Sequence, residues 1–115
     1  MIIDKIIQFL NNQEYGVSAY AEVTKNVPTK YIIVEQTGET VTDYIWHATV
    51  AIKSYSSVSL FDASLLNEDV LQLMLDEFVK DDDVAKVELN SSYNFTDTTT
   101  KTYRYQAVFD ITYYN

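Results

Sequence analysis

A sequence with one histidine, His47, and no cysteine has few ways to assemble a nucleophile, a general base and a metal centre. Thiolate ligands, cysteine nucleophiles and disulfides are absent, and there is no histidine pair for zinc. His47 falls in the middle of an alternating run, where a hydrogen-bonded structural or interface histidine is expected over a catalytic one. The run Asp81-Asp82-Asp83 offers carboxylates for a hard cation. It lacks the spaced ligands and loop glycine of a calcium motif, so a solvated helix terminus is the expected role. Gly38 stands alone and is no phosphate-cradling loop. Tyr103-Arg104-Tyr105 is the one grouping of aromatics with a cation that resembles a base-stacking platform. A single arginine is little support for nucleic-acid binding, and packing accounts for these tyrosines better. The expectation is a protein without catalytic residues, metal or cofactor.

Charge points the same way. The 115 residues carry a formal charge of −9. Between Asp62 and Asp83 stand eight carboxylates (Asp62, Glu68, Asp69, Asp76, Glu77, Asp81, Asp82 and Asp83) against Lys80, a local net of −7. Such a surface does not grip nucleic acid, which is held by cations that displace condensed counterions. It either solvates a helix face or repels a polyanion passing nearby.

The elements that must carry these residues follow from hydrophobic period. Ile2, Ile3, Ile6, Ile7 and Leu10 have the spacing of a helix face. Tyr15 to Val23 alternates as a strand with small residues inward. Tyr31-Ile32-Ile33-Val34 is a continuous apolar run, expected of a strand covered on both faces. Glu35 to Thr40 reads as a turn built on Gly38. Asp43 to Tyr55 alternates again, and its His47–Lys53 face is mixed enough for a subunit contact. After a polar connector over Ser54–Ser59, Asp62 or Ser64 can cap a helix whose stripe runs from Leu65 to Lys80. Val84–Phe95 and Lys101–Tyr114 are long alternating runs joined by the polar segment Thr96–Thr100. In the first, Val87, Leu89, Ser91, Tyr93 and Phe95 are expected on one face. In the second, Tyr103, Tyr105, Ala107, Phe109, Ile111 and Tyr113 alternate with Arg104, Gln106, Val108, Asp110, Thr112 and Tyr114.

The order helix, three strands, helix, two strands predicts one α+β domain over residues 1–115, with a mostly antiparallel sheet and both helices on one of its faces. At about 3.3 Å per residue the last run is long for so small a domain, so it must bend or project towards a neighbour. His47, Lys53, Arg104 and Tyr114 are the expected subunit-contact residues. No apolar run approaches the length of a membrane span, and Met1 leads into an amphipathic pattern, not a signal peptide.

The run Val87-Glu88-Leu89-Asn90-Ser91-Ser92-Tyr93-Asn94-Phe95-Thr96-Asp97, followed by Tyr103-Arg104-Tyr105-Gln106-Ala107-Val108-Phe109-Asp110, resembles small tail proteins of long-tailed phages and prophages. So do Tyr31-Ile32-Ile33-Val34-Glu35-Gln36-Thr37-Gly38 and the aromatic-rich strand after it. The family is that of siphophage tail terminator (tail completion, minor capsid/tail) proteins. The sequence departs from it in having a single glycine in the turn at Gly38. What the resemblance implies is a virion structural protein made in the host cytoplasm and placed at the head–tail junction. It would form a hexameric ring at the head-proximal end of the tail tube, stop tube growth and meet the connector, with DNA passing through unbound. Subunits monomeric in solution are compatible with that role. Glu68, Asp69, Asp76, Glu77 and Asp81 to Asp83 would then line the lumen.

Two rivals stay open. One is a head–tail connector or stopper of the same particle. The other is a small α+β ligand-binding domain or enzyme, which predicts a concave site around His47 and nearby tyrosines.

Overall fold

The computed structural model describes residues 2–23, 26–100 and 102–114. Helix α1 spans Ile2–Asn11 and buries Ile2, Ile6 and Leu10. Strand β1 is only Ser18–Tyr20; β2 runs Lys30–Thr42 and β3 Ile45–Ser56. Helix α2 covers Leu60–Gln72, continued by a π-helical turn over Leu73–Glu77 and a 3-10 turn over Phe78–Lys80. Strands β4 (Val84–Asn94) and β5 (Tyr103–Tyr114) complete the chain. The five strands lie in the order β1-β2-β3-β5-β4, antiparallel except for the parallel β1–β2 pair. The protein is α+β, as expected, with one core.

That core lies between the helices and one face of the sheet. Ile32 and Val34 of β2, Ala48, Val50 and Ile52 of β3, and Ala107, Phe109, Ile111 and Tyr113 of β5 meet α1 and Leu66, Val70, Met74 and Phe78 of the second helical segment. Those four helical positions are spaced by four. In an α-helix each such step overshoots a full turn by about 40°, so the stripe drifts off the sheet. The wider π turn after Gln72 corrects that phase and returns Phe78 to the core, where its ring meets Phe9 at 5.2 Å.

Several expected boundaries move. The strand anticipated over Tyr15–Val23 shrinks to three residues, because Gly16 takes a left-handed φ of 71° and turns the chain just before it. Asn11 closes this corner: its side chain accepts from the Ala19 N–H at 2.7 Å and donates to the Ala19 carbonyl at 3.1 Å. Glu35–Thr40 is strand, not turn. Gly38 has no left-handed backbone and sits instead where the β2–β3 register slips. The turn comes later, at Asp43 and Tyr44, both with positive φ (52° and 68°). Thr42 pairs with Ile45, so this is a two-residue hairpin of the primed kind that follows strand twist. The second helix begins earlier than its stripe suggested, capped by Ser59, whose hydroxyl accepts from the Asp62 N–H at 3.0 Å. Asp62 is drawn away from capping by Ser56, 2.7 Å off, and Lys30, 3.5 Å off.

The β4–β5 hairpin forms, but not with the expected alternation. Register slips between Val84 and Lys86 and between Leu89 and Ser91. The extra residue at Asn90 reverses the facing of the residues after it. Val87 and Leu89 pair with Ile111 and Phe109 on the helix side, whereas Ser91 and Tyr93 pair with Val108 and Gln106 on the other.

Candidate assembly surface

The sheet face away from the helices gathers the four expected contact residues. His47 and Lys53 project from β3; on β5, Arg104 pairs with Tyr55 and Tyr114 with Ile45, which places all four on that side. They are spread along its length, and no single site collects them.

At one end an aromatic and cationic ladder crosses the strands. Tyr31 and Tyr55 stack with ring centres 4.6 Å apart and planes within 5°. The Arg104 guanidinium lies 5.9 Å from the Tyr55 ring and 4.3 Å from the Phe95 ring, and its Nε donates to the Phe95 carbonyl. Phe95 meets Tyr93 edge-on, and the Lys53 ammonium sits 6.0 Å from Phe95 while pairing with Glu35 at 2.7 Å. Stacked cations and rings shed water from each other's faces, which is how Tyr55 falls to 7% exposure on a face no helix covers. Burial, and then the neighbouring Tyr55, push the Tyr31 hydroxyl pKa up. A cleft of about 430 Å³ opens beside this stack, lined by Val27, Pro28, Thr29, Tyr31 and Tyr55 among others.

Around His47 the face is polar. A cleft of about 280 Å³ includes Thr40, His47, Thr49, Asp110 and Thr112. His47 Nδ1 lies 3.2 Å from the Thr112 hydroxyl. Thr49 donates to one Asp110 oxygen at 3.2 Å and Asn90 to the other at 3.1 Å. These are two separate cross-strand sets, His47 with Thr112 and Asp110 with Thr49 and Asn90. Among the described residues no three or more histidine, aspartate or glutamate side chains are placed to hold a metal ion.

The sheet overruns its helices at the other end. From Glu35 to Thr42, β2 is exposed apart from half-buried Gln36. Tyr44 at the hairpin tip is 91% exposed and Val41 is 51% exposed. Trp46 stacks on Tyr113 at 6.3 Å, and the Tyr113 hydroxyl donates to Glu39 at 2.9 Å. Burial first, and this bond to a carboxylate second, push the Tyr113 pKa up to about 12.

The carboxylates fall in two groups. Glu68, Asp69, Asp76 and Glu77 are exposed on the helical layer. Asp69, Asp76 and Glu77 line a cleft of about 300 Å³ with Tyr15, Gln72 and Leu73. Burial, and then Asp69, push the Tyr15 hydroxyl up to about 12. Nothing in the spacing of Tyr15 within the sequence pointed to this. Asp81 and Asp83 instead clamp Lys5 of α1, each at 2.9 Å, while Asp82 is exposed. The Lys5 bond and the Asp83 N–H hold the Asp81 carboxyl below its usual range. Much of the Asp81–Asp83 run thus docks a helix.

Among the described residues no helix is long and apolar enough to cross a membrane. Compared with family models and with curated proteins, the chain matches none.

Proposed function

We propose that this protein is a structural subunit of a phage or prophage tail, a terminator that forms a ring at the head-proximal end of the tail tube and joins tail to head. The observation that carries the reading is the sheet's overrun: the distal half of β2 and most of β4 continue as strand yet lie exposed. Long, exposed strands bury little in a lone subunit and have their use in assembly. The family likeness of the β2 and β4–β5 sequences supports the same reading.

In this reading the two layers divide the work. The open sheet face, with His47, Lys53, Arg104 and Tyr114, meets protein. The exposed carboxylates of the helical layer, Glu68, Asp69, Asp76 and Glu77, face the lumen together with Asp82, so that DNA slides without sticking. Asp81 and Asp83 contribute less, because Lys5 offsets them.

The test is particle assembly without this protein. Overlong tails seen in negative stain are the expected result. Tails of normal length with heads that lose DNA would instead assign the protein to the connector. Carboxylates mapped to the outer rim of an assembled ring would sink the lumen assignment alone.

A further inference from the structure

We infer that copies of this chain join edge to edge, the outer edge of β4 in one copy pairing antiparallel with the distal half of β2 in the next, so that the sheet runs on from subunit to subunit. This rests on the ring reading and names the strands that make it.

Among the described residues, β4 pairs only with β5, leaving its outer edge open. At the other side of the sheet, β1 covers β2 only at Tyr31, Ile32 and Ile33. From Val34 to Thr42 the outer edge of β2 has no strand against it among the described residues. Two open edges of similar length therefore stand on opposite sides of one sheet. An open strand edge is a row of unpaired N–H and C=O groups, a template for another strand.

The two edges match in direction and height. Because β2–β3, β3–β5 and β5–β4 are all antiparallel, β4 runs opposite to β2, so a copy placed alongside continues the antiparallel pattern. Following the pairs across the sheet, Val41 is level with Trp46, Tyr113 and Val84. By the same path Thr40 is level with Lys86, Glu39 with Val87, Gly38 with Glu88, Gln36 with Leu89, and Glu35 with Ser91. In this register no carboxylate faces a carboxylate, which like-charge repulsion across strands requires. It also covers Val41 and Leu89, which are 51% and 41% exposed in the lone chain. Such a contact uses different surfaces on the two copies, the kind that closes into rings or runs on as filaments.

A competing use of the same features is protection. Both edge strands carry bulges, and β4 carries Lys86 and Glu88, devices that keep edges from pairing. Neither strand contains proline, the strongest such device.

Disulfide trapping decides, since the chain has no cysteine of its own. In the Thr40→Cys/Lys86→Cys double variant the two positions of one copy are three strand spacings apart, roughly 14 Å. A disulfide needs Cα atoms within about 7 Å, so only different copies can be bridged. Thr42→Cys with Lys86→Cys covers a slip of two residues. The expected result, under oxidation at graded concentrations, is a covalent ladder from a double variant, and dimers when the two single variants are mixed. Each single variant alone should give only background. Self-linking of Lys86→Cys alone would indicate a two-fold β4–β4 contact and overturn the proposal. So would the absence of mixed dimers with both pairs at every concentration, with tail tubes present as well as without. Native mass, recorded in parallel, separates the two ideas. Oligomers without either cross-link keep the ring and remove the edge contact, whereas a ladder that never closes keeps the edge contact and removes the ring.

Discussion

The sheet solves burial differently on its two faces. On the helix side, positions such as Ile32, Val50, Ile52, Ala107 and Phe109 are closed over by α1 and α2. On the other, Tyr31, Tyr55, Phe95, Arg104 and Lys53 shield one another, with no helix of the described residues above them. The first arrangement is dry and depends on fit. The second keeps cations and hydroxyls at the surface, where another protein can exchange contacts with them. Burial is concentrated on one face, and the proposed protein contacts lie on the other.

The sharpest way to break this contrast is to empty the covered face. Phe109→Ala removes a fully buried ring opposite Val50 and Leu89 and should cost about 3–5 kcal/mol, read from chemical denaturation. Asn11→Ala strikes the corner between α1 and β1. It leaves both polar groups of Ala19 without their side-chain partner and should cost about 1–3 kcal/mol in the same assay. At the uncovered end the sign reverses. Tyr44 holds a left-handed backbone that a bulky side chain disfavours by about 1–2 kcal/mol, and its ring is exposed. Tyr44→Gly should therefore raise stability by about 1 kcal/mol, because glycine takes that backbone freely. A variant no more stable than the parent would show that the tyrosine makes up for its strain within the lone chain.

Arg104→Ala on the open face should cost less than about 1 kcal/mol of stability, since its ring contacts lie near solvent. A loss as large as that of Phe109→Ala would erase the distinction between the faces. The smallest effect is on titration. Tyr15 and Tyr113 have folded pKa values of about 12, above the ordinary 10, so the fold favours their neutral forms. Their contribution is full below pH 10 and lost as pH rises through about 12. Lys5, raised by Asp81 and Asp83, adds to the same alkaline loss, whereas Asp81, lowered by Lys5, makes its contribution above the ordinary carboxylate range and loses it in acid. Ultraviolet titration should show two of the ten tyrosines ionising last, in step with unfolding, and Tyr113→Phe should remove one of them.

The contrast between faces was partly legible in the residues. The period of Ala107 to Tyr113 and the spacing of α1 translate directly into buried positions, because period alone decides which side chains share a face. The contact set His47, Lys53, Arg104 and Tyr114 falls on one face for the same reason. The bulge at Asn90 was not legible, since no glycine marks it, and the glycine at the Thr37 bulge, Gly38, reads equally as a turn residue. The hairpin turn escaped notice because Tyr44 occupies a backbone usually given to glycine. Gly38 drew the turn towards itself instead. The start of α2 lay beyond its apolar stripe, where only the Ser59 hydroxyl marks it. Tyr15 met Asp69 across the fold, a pairing that no local spacing records.

The central claim, that this protein ends a tail tube, is tested most directly by tube length. Tail tube protein polymerised with and without the 13.3 kDa chain, then imaged and sedimented, gives the comparison. The account predicts tubes that stop growing once the chain is added, with the chain recovered in the tube pellet in proportion to tube ends. Tubes of unchanged length and a chain left wholly in the supernatant would contradict it.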